Sequence, residues 1–258
     1  MKISGAVALV TGSNQGIGRG FVQALLQLGA RRIYATARQL ESLPEVVALA
    51  PERVVPLRPD ITSCDDRKRA AHDAPDVTLL INNAGIPGGG GPLERRFLSA
   101  TSLDDLRSVM ETNFFAQAEM CRSFAPALRR AEDAAIVNVL SIGALYCVPE
   151  FATYSASKAA TAIMTQGVRA ELAPDGVEVF GVFTAGVQTR MSVPRNRPRM
   201  SPLEHGHEVL RAIENGIEDI YVGTGVNEIV SALYRDRKGF EQNRIARFLN
   251  SQDLGQVQ

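Results

Sequence analysis

Ala6-Val7-Ala8-Leu9-Val10, followed at once by Thr11-Gly12-Ser13-Asn14-Gln15-Gly16-Ile17-Gly18, decides how this chain reads. A short apolar run of strand character enters a glycine-rich turn and then a segment of helical period. Strand, turn and helix in that order suit a pyrophosphate. Gly12 permits the tight turn, Gly16 lets the backbone approach the phosphates, and Gly18 lets the helix pack closely. A helix starting near Ile17 aims its unpaired N–H groups at the anion. The stretch therefore reads as a dinucleotide site at the end of a first strand.

The pattern continues outward. Short Val- and Ile-rich runs at 6–10, 32–36, 53–57, 77–81, 135–140, 178–183 and 219–222 alternate with helical segments at 17–29, 39–49, 63–73, 102–130, 152–173 and 203–215. A last helix is expected from about 225 to 249. This alternation predicts an α/β fold: a single-domain, Rossmann-type, doubly wound sheet of about seven parallel strands flanked by helices. The whole chain, 1–258, is expected to form one dinucleotide-binding catalytic domain with a substrate lid near 190–215. Gly88 to Gly91 form the one compositional break, read as a loop tip or, less simply, as part of a lid.

Composition narrows the partners. The chain has 258 residues, 45% hydrophobic, enough for one sizeable core. Basic and acidic residues number 28 each, so no charge excess argues for nucleic acid or an anionic membrane. Cys64, Cys121 and Cys147 lack metal or redox spacing and are expected to be reduced thiols. With no signal-like leader and no apolar stretch of the roughly 18 to 20 residues a membrane helix needs, the expected location is cytoplasmic.

The second strand bears on the choice of dinucleotide. An NAD site usually carries an acidic residue about 20 residues past the glycines, for the ribose 2′-hydroxyl. Here the region reads Ala35-Thr36-Ala37-Arg38-Gln39, and no carboxylate precedes Glu41. Arg38 instead offers a guanidinium for a 2′-phosphate, so NADP(H) is expected over NAD(H).

Further along, Tyr154 and Lys158 stand at i and i+4 on one helix face, with Ser141 upstream at a strand end. A phenol beside an ammonium makes an acid and base for work near neutral pH. Bringing a phenol from about 10 to about 7 takes roughly 4 kcal/mol of differential interaction, which nearby cations in a dry cleft supply. Ser141 would hold a substrate oxygen by a hydrogen bond. Lysine occurs only at Lys2, Lys68, Lys158 and Lys238, so its presence here carries weight.

These ordered motifs resemble the short-chain dehydrogenase/reductase family over nearly the whole chain. Residues 11–18 are similar to its glycine loop, Asn82-Asn83-Ala84-Gly85 to its strand-end motif, and Asn113, Ser141, Tyr154 and Lys158 to its catalytic tetrad. The resemblance implies hydride transfer between a nicotinamide cofactor and an alcohol or carbonyl. It implies cofactor contacts from Gly12, Asn14, Gly16, Ile17 and Gly18, from Asp60 and Ile61, and from Asn83, Ala84 and Gly85. Tyr154, Lys158, Val187 and Thr189 complete that set. It also implies that Lys158 binds the nicotinamide ribose, that Asn113 supports a water leading to solvent, and that two long helices pair across a two-fold axis. A homodimer or homotetramer is therefore expected, with Phe114, Phe115, Met120, Ile163, Met164 and Val168 as excess apolar helix surface. One departure stands out: Thr184 and Ala185 occupy positions where the family has Pro and Gly. Sliding the loop pairs Gly186 with the family glycine, and the sequence leaves both alignments open.

The run from Ile142 to Thr153 is mostly apolar, which favours a hydrophobic ketone or secondary alcohol, although a wall facing the core would read the same. Arg190, Arg195, Arg197 and Arg199 give the lid region a basic character. His205 and His207, with Glu204 or Glu208, lack an ordered third ligand, so no metal is expected. The leading reading is an NADP(H)-dependent carbonyl reductase or alcohol dehydrogenase. Beside it stand a catalytically degenerate, cofactor-sensing binding protein of the same fold and an enzyme using the same acid/base pair for isomerisation or dehydration.

Overall fold

The computed structural model describes residues 1–189 and 198–255. Among them, seven strands form one sheet: β1 (Val7–Val10), β2 (Arg32–Thr36), β3 (Val54–Leu57), β4 (Leu79–Asn82), β5 (Ala135–Val139), β6 (Glu178–Thr184) and β7 (Asp219–Val222). Every pairing is parallel, in the order β3-β2-β1-β4-β5-β6-β7. The order reverses between β1 and β4, and a crevice opens there at the carboxyl ends of the strands.

Ten α-helical segments surround the sheet among the described residues: α1 (Gly16–Gln27), α2 (Pro44–Val47), α3 (Cys64–Asp73), α4 (Gly91–Glu94), α5 (Asp104–Met110), α6 (Ala116–Leu128), α7 (Ala152–Leu172), α8 (Pro202–Glu214), α9 (Val226–Arg235) and α10 (Arg237–Gly255). Strand side chains alternate between the two faces, which explains why both carry cores. Ala8 and Val10 meet Phe21 and Leu25 of α1 and Val209 and Leu210 of α8, whereas Val7 and Leu9 meet Met120 and Phe124 of α6. Strands covered on both sides read as unbroken apolar runs, as these do.

The expected strands all form, and the helices differ in instructive ways. Pro44 starts α2 at its first turn, so the 39–49 segment shrinks to a single four-residue helix after a short 3-10 turn. The 102–130 segment is interrupted by a π-helical turn at Glu111–Phe115, which carries Asn113. The 225–249 helix divides at Asp236, whose backbone leaves the helical region at φ −151° and ψ 88° and whose Oδ1 accepts from Gly239 N at 2.9 Å. Asp236 thereby ends α9 and caps α10.

Of the expected lid near 190–215, residues 190–197, with Arg190, Arg195 and Arg197, lie outside the described residues. Residues 202–214 form α8, which buries Val209, Leu210 and Ile213 and belongs to the packed layer. The glycine run at 88–91 is tethered, since Gly89 N and Gly90 N donate to Asp105 Oδ1 at 2.7 and 3.3 Å. Met120, expected as excess helix surface, is instead fully buried in the core, while Phe115 and Ile163 are exposed. No described helix is long and apolar enough to cross a membrane.

α1 and α8 cross so closely that a Cβ on Gly20 would lie 2.1 Å from the Pro202 carbonyl oxygen. Gly20→Ala should therefore cost about 1–3 kcal/mol in chemical denaturation, the typical penalty of overpacking. An unchanged unfolding midpoint would show that the two helices separate freely.

Candidate active site

A cleft of about 1350 Å³ runs along the carboxyl edge of the sheet. It exceeds the roughly 300–1,000 Å³ of a pocket for one drug-sized ligand, so a dinucleotide and a second ligand both fit. One end holds the glycine turn. Gly12 and Gly16 take φ values of 64° and 53°, which side-chain-bearing residues rarely adopt. A Cβ on Gly18 would come within 2.1 Å of the Gly12 carbonyl oxygen, so this glycine sets how near α1 lies to the turn. The helix begins with no side-chain cap and no acidic residue in its first turn. Its positive end faces the cleft without internal neutralisation, and the residues fit a pyrophosphate.

Asn14, Gly16 and Ile17 line this end, and Thr189 closes over it, its Cγ2 lying 3.5 Å from where a Gly16 Cβ would stand. Arg38 is exposed beyond β2 and lines the cleft. Its carbonyl accepts from Arg58 Nε at 3.1 Å, which brings a second guanidinium to that side. Asp60 and Ile61 form another part of the wall. Hydrogen bonds from Thr62 outweigh burial and hold the Asp60 carboxyl below its ordinary range, with Arg38 and Arg67 adding attraction. Asn83, Ala84 and Gly85 follow β4 into the cleft, and Val187, after β6, lines it too.

At the other end, α7 brings Tyr154 and Lys158 against the ends of β4 and β5. Lys158 is 3% exposed, its Nζ donating to the Val139 carbonyl at 2.7 Å and lying 5.8 Å from the Tyr154 ring centroid. Burial lowers its ammonium to about 8. Tyr154 faces the cleft, and burial pushes its phenol up to about 12, against the opposing pull of a hydrogen bond with Ser141. Ser141 Oγ is itself held by Gly143 N at 3.1 Å. Desolvation thus makes the phenol a weaker acid than the ordinary one assumed from sequence, and demands more of any neighbouring cation.

Asn113 is fully buried behind Gly85. Its Oδ1 accepts from Ile86 N at 2.8 Å, its Nδ2 donates to Ile86 O at 2.9 Å and Ser157 Oγ at 3.0 Å, and its carbonyl accepts from Thr161 Oγ1 at 2.9 Å. It therefore clamps the β4 loop to α7. A Cβ on Gly85 would stand 3.1 Å from Asn113 Oδ1 and 3.6 Å from Lys158 Nζ, so only glycine leaves these two at their present spacing.

The divergent loop after β6 has its own anchor. Thr184 Oγ1 and His205 Nε2 lie 2.9 Å apart, and the sharp turn falls on Gly186, with φ 60°, rather than on Ala185. His205 is fully buried and held down to about 4 by desolvation. It is a packing partner of this loop, and no cluster of potential metal ligands occurs among the described residues.

A family model described as short chain dehydrogenase matches residues 6–199. The chain belongs to the short-chain dehydrogenase/reductase family. Within that oxidoreductase family, a Burkholderia cenocepacia short chain dehydrogenase solved in complex with NADP is 42% identical, with a TM-score of 0.85 over 95% of this chain and 99% of that one. The NADPH-dependent 1-acyldihydroxyacetone phosphate reductase of Schizosaccharomyces pombe is 33% identical over 189 residues, 71% of this chain. Only 60% of that yeast protein is spanned. The 3-ketodihydrosphingosine reductase of Bacteroides thetaiotaomicron is 27% identical over 87% of this chain and 83% of its own.

From the apolar run at 142–153, Tyr146, Val148 and Phe151 line the cleft. Sequence reasoning missed what faces them: Phe240 meets Tyr146 edge to face at 4.9 Å, and Ile229, Arg244 and Arg247 from α9 and α10 also line the cleft. The signal was the helical spacing of Phe240, Asn243, Arg244 and Arg247, hidden inside one expected helix.

Lys158 also yields a pH dependence. The unfolded chain keeps its proton to about the ordinary 10.5, while the folded protein releases it at about 8. Between those values the unfolded state binds more protons, so the folded state gains stability from this group as pH rises. The stability of wild type minus that of Lys158→Met should therefore increase from pH 8 to pH 10. A flat or falling difference would show that Lys158 is not buried as a cation.

Proposed function

We propose that this short-chain dehydrogenase/reductase interconverts a hydrophobic ketone and a secondary alcohol, using NADP(H). The reading is carried by the Ser141, Tyr154 and Lys158 arrangement on the wall of a cleft whose opposite end suits a dinucleotide. The glycine turn and the first turn of α1 would hold the pyrophosphate, and Arg38 the 2′-phosphate. The identity to an NADP-bound structure and the name of the yeast relative support that cofactor. When bound, NADPH supplies the hydride.

The chain's own residues manage the proton and the substrate. Tyr154 donates its phenolic proton to the carbonyl oxygen during reduction and takes the hydroxyl proton during oxidation. Burial keeps the phenol protonated near neutral pH, the form that reduction draws on. Ser141 steadies the substrate oxygen from the same side. Lys158 spends one of its three donors on Val139 O, leaving two for the cofactor ribose and the phenol's surroundings. Asn113 acts as a positioning residue, holding the Ile86 backbone and α7 in register.

The apolar wall of Tyr146, Val148, Phe151, Ile229 and Phe240 supports a hydrophobic substrate. A second copy of the chain is expected to cover the exposed Phe115 and Ile163, giving a homodimer or homotetramer.

Tyr154→Phe should lower single-turnover hydride transfer by about 100-fold or more, while NADPH still binds with a similar dissociation constant in titration calorimetry. Turnover near wild type would remove Tyr154 from the chemistry. Arg38→Ala should weaken NADPH by about tenfold, the value of a charge-assisted contact, and NADH much less. Equal losses for both cofactors would remove the 2′-phosphate role.

A further inference from the structure

Resting on the oxidoreductase reading above, we infer that the substrate carries an anionic terminus, a phosphate or a carboxylate, which the C-terminal helices bind. The face of α10 turned to the cleft carries Phe240, Asn243, Arg244 and Arg247, at i, i+3, i+4 and i+7. The face of α9 turned to it carries Ile229, Ala232 and Arg235. Two helices thus present an apolar surface that grades into a cationic one, in the same cleft as Tyr154.

The arginines are uncommitted. Arg19, Arg32, Arg69, Arg107, Arg129 and Arg169 all pair with carboxylates. Arg235, Arg244 and Arg247 form no ion pair among the described residues. Arg244 is also set in place: its guanidinium lies 5.6 Å from the Tyr146 ring centroid, and its Nε is buried with no acceptor. A stacked guanidinium is held rigidly, and its fork then offers parallel donors that match phosphate or carboxylate oxygens.

Two carboxylates share this wall. Asp236 is engaged in capping α10 through Gly239 N. Glu228 sits in the first turn of α9, two helical turns or about 10 Å from Arg235. A third carboxylate, Glu150, comes from the short turn packed against α10 and acts on Cys147 together with Arg244, yet none of the three forms an ion pair with Arg244 or Arg247 among the described residues. A ligand with its carbonyl at Tyr154, its apolar body against Tyr146 and Phe240, and its anion at Arg244 and Arg247 uses every part of the wall.

The test compares keto acids of increasing chain length, the corresponding keto phosphates, and the neutral methyl esters of the acids, as NADPH-dependent substrates of wild type and Arg244→Gln/Arg247→Gln. The anionic-to-neutral ratio of kcat/KM should exceed unity in wild type and fall by about 10- to 100-fold in the double variant, as expected for lost charge-assisted bonds. The acid and phosphate arms decide which anion is preferred. Ester reduction with no anion preference, or a ratio the double variant leaves unmoved, would overturn the subsite while leaving the oxidoreductase reading intact. A second readout does not need turnover: octyl phosphate and octanoate should each raise the melting temperature more than 1-octanol does, and the double variant should lose the difference. That result without reduction of any ketone would support the subsite and count against the oxidoreductase reading. Equal shifts by all three ligands would overturn the subsite.

Discussion

Thr11 and Asn83 tie together the two strands between which the cleft opens, and the site depends on that tie. The Thr11 hydroxyl accepts from Asn83 N at 2.8 Å and Ala84 N at 2.9 Å, and donates to Ile81 O at 3.3 Å. Asn83 Nδ2 in turn donates to the carbonyls of Thr11 and Gly12, at 2.8 and 3.1 Å. Each bond contributes about 1 kcal/mol net, but leaving buried partners unmatched costs more. The glycine turn after β1 and the backbone after β4 are thereby locked in one register. From Ala84 that register passes to Gly85, Asn113 and Lys158, so the glycine-turn end and the Tyr154 end of the cleft share one frame.

A second line of buried polar contacts fixes α7 against the sheet. Asn82 Nδ2 donates to Asn138 Oδ1 at 2.9 Å, and Asn138 Nδ2 donates to Thr165 Oγ1 at 3.0 Å. The bond to Thr165 favours one rotation of α7, because turning the helix would leave the buried Asn138 Nδ2 without its acceptor. With that rotation set, Lys158 meets Val139 O and Tyr154 meets Ser141. Burial then acts oppositely on the two groups, lowering the ammonium and raising the phenol, and brings the lysine toward neutrality while keeping the tyrosine protonated.

The fold and the two ends of the site were legible because their signals are local. A strand, a glycine turn and a helix lie within Ala6 to Gln27, and Tyr154 and Lys158 sit one helical turn apart. Thr184 and Ala185 were visible as a departure, but their consequence was not, since the hydroxyl finds His205 across the chain. The π-helical turn at Asn113 was invisible for a related reason: its partners, Ile86 and Ser157, lie 27 and 44 residues away. The swing of α10 onto the cleft depends on the cap at Asp236 and on Tyr146 meeting Phe240, neither of which leaves a periodic trace. Residues whose role depends on distant partners cannot be assigned from spacing alone.

The most direct measurement is the absorbance of the reduced nicotinamide band as purified protein meets NADPH or NADH and a panel of aryl, cyclic and long-chain ketones. The account predicts decay with NADPH, with NADH slower by about tenfold or more, the value of one charge-assisted contact. Tight NADPH binding with no decay for any ketone would contradict it and leave a cofactor-binding protein that keeps the fold without the chemistry.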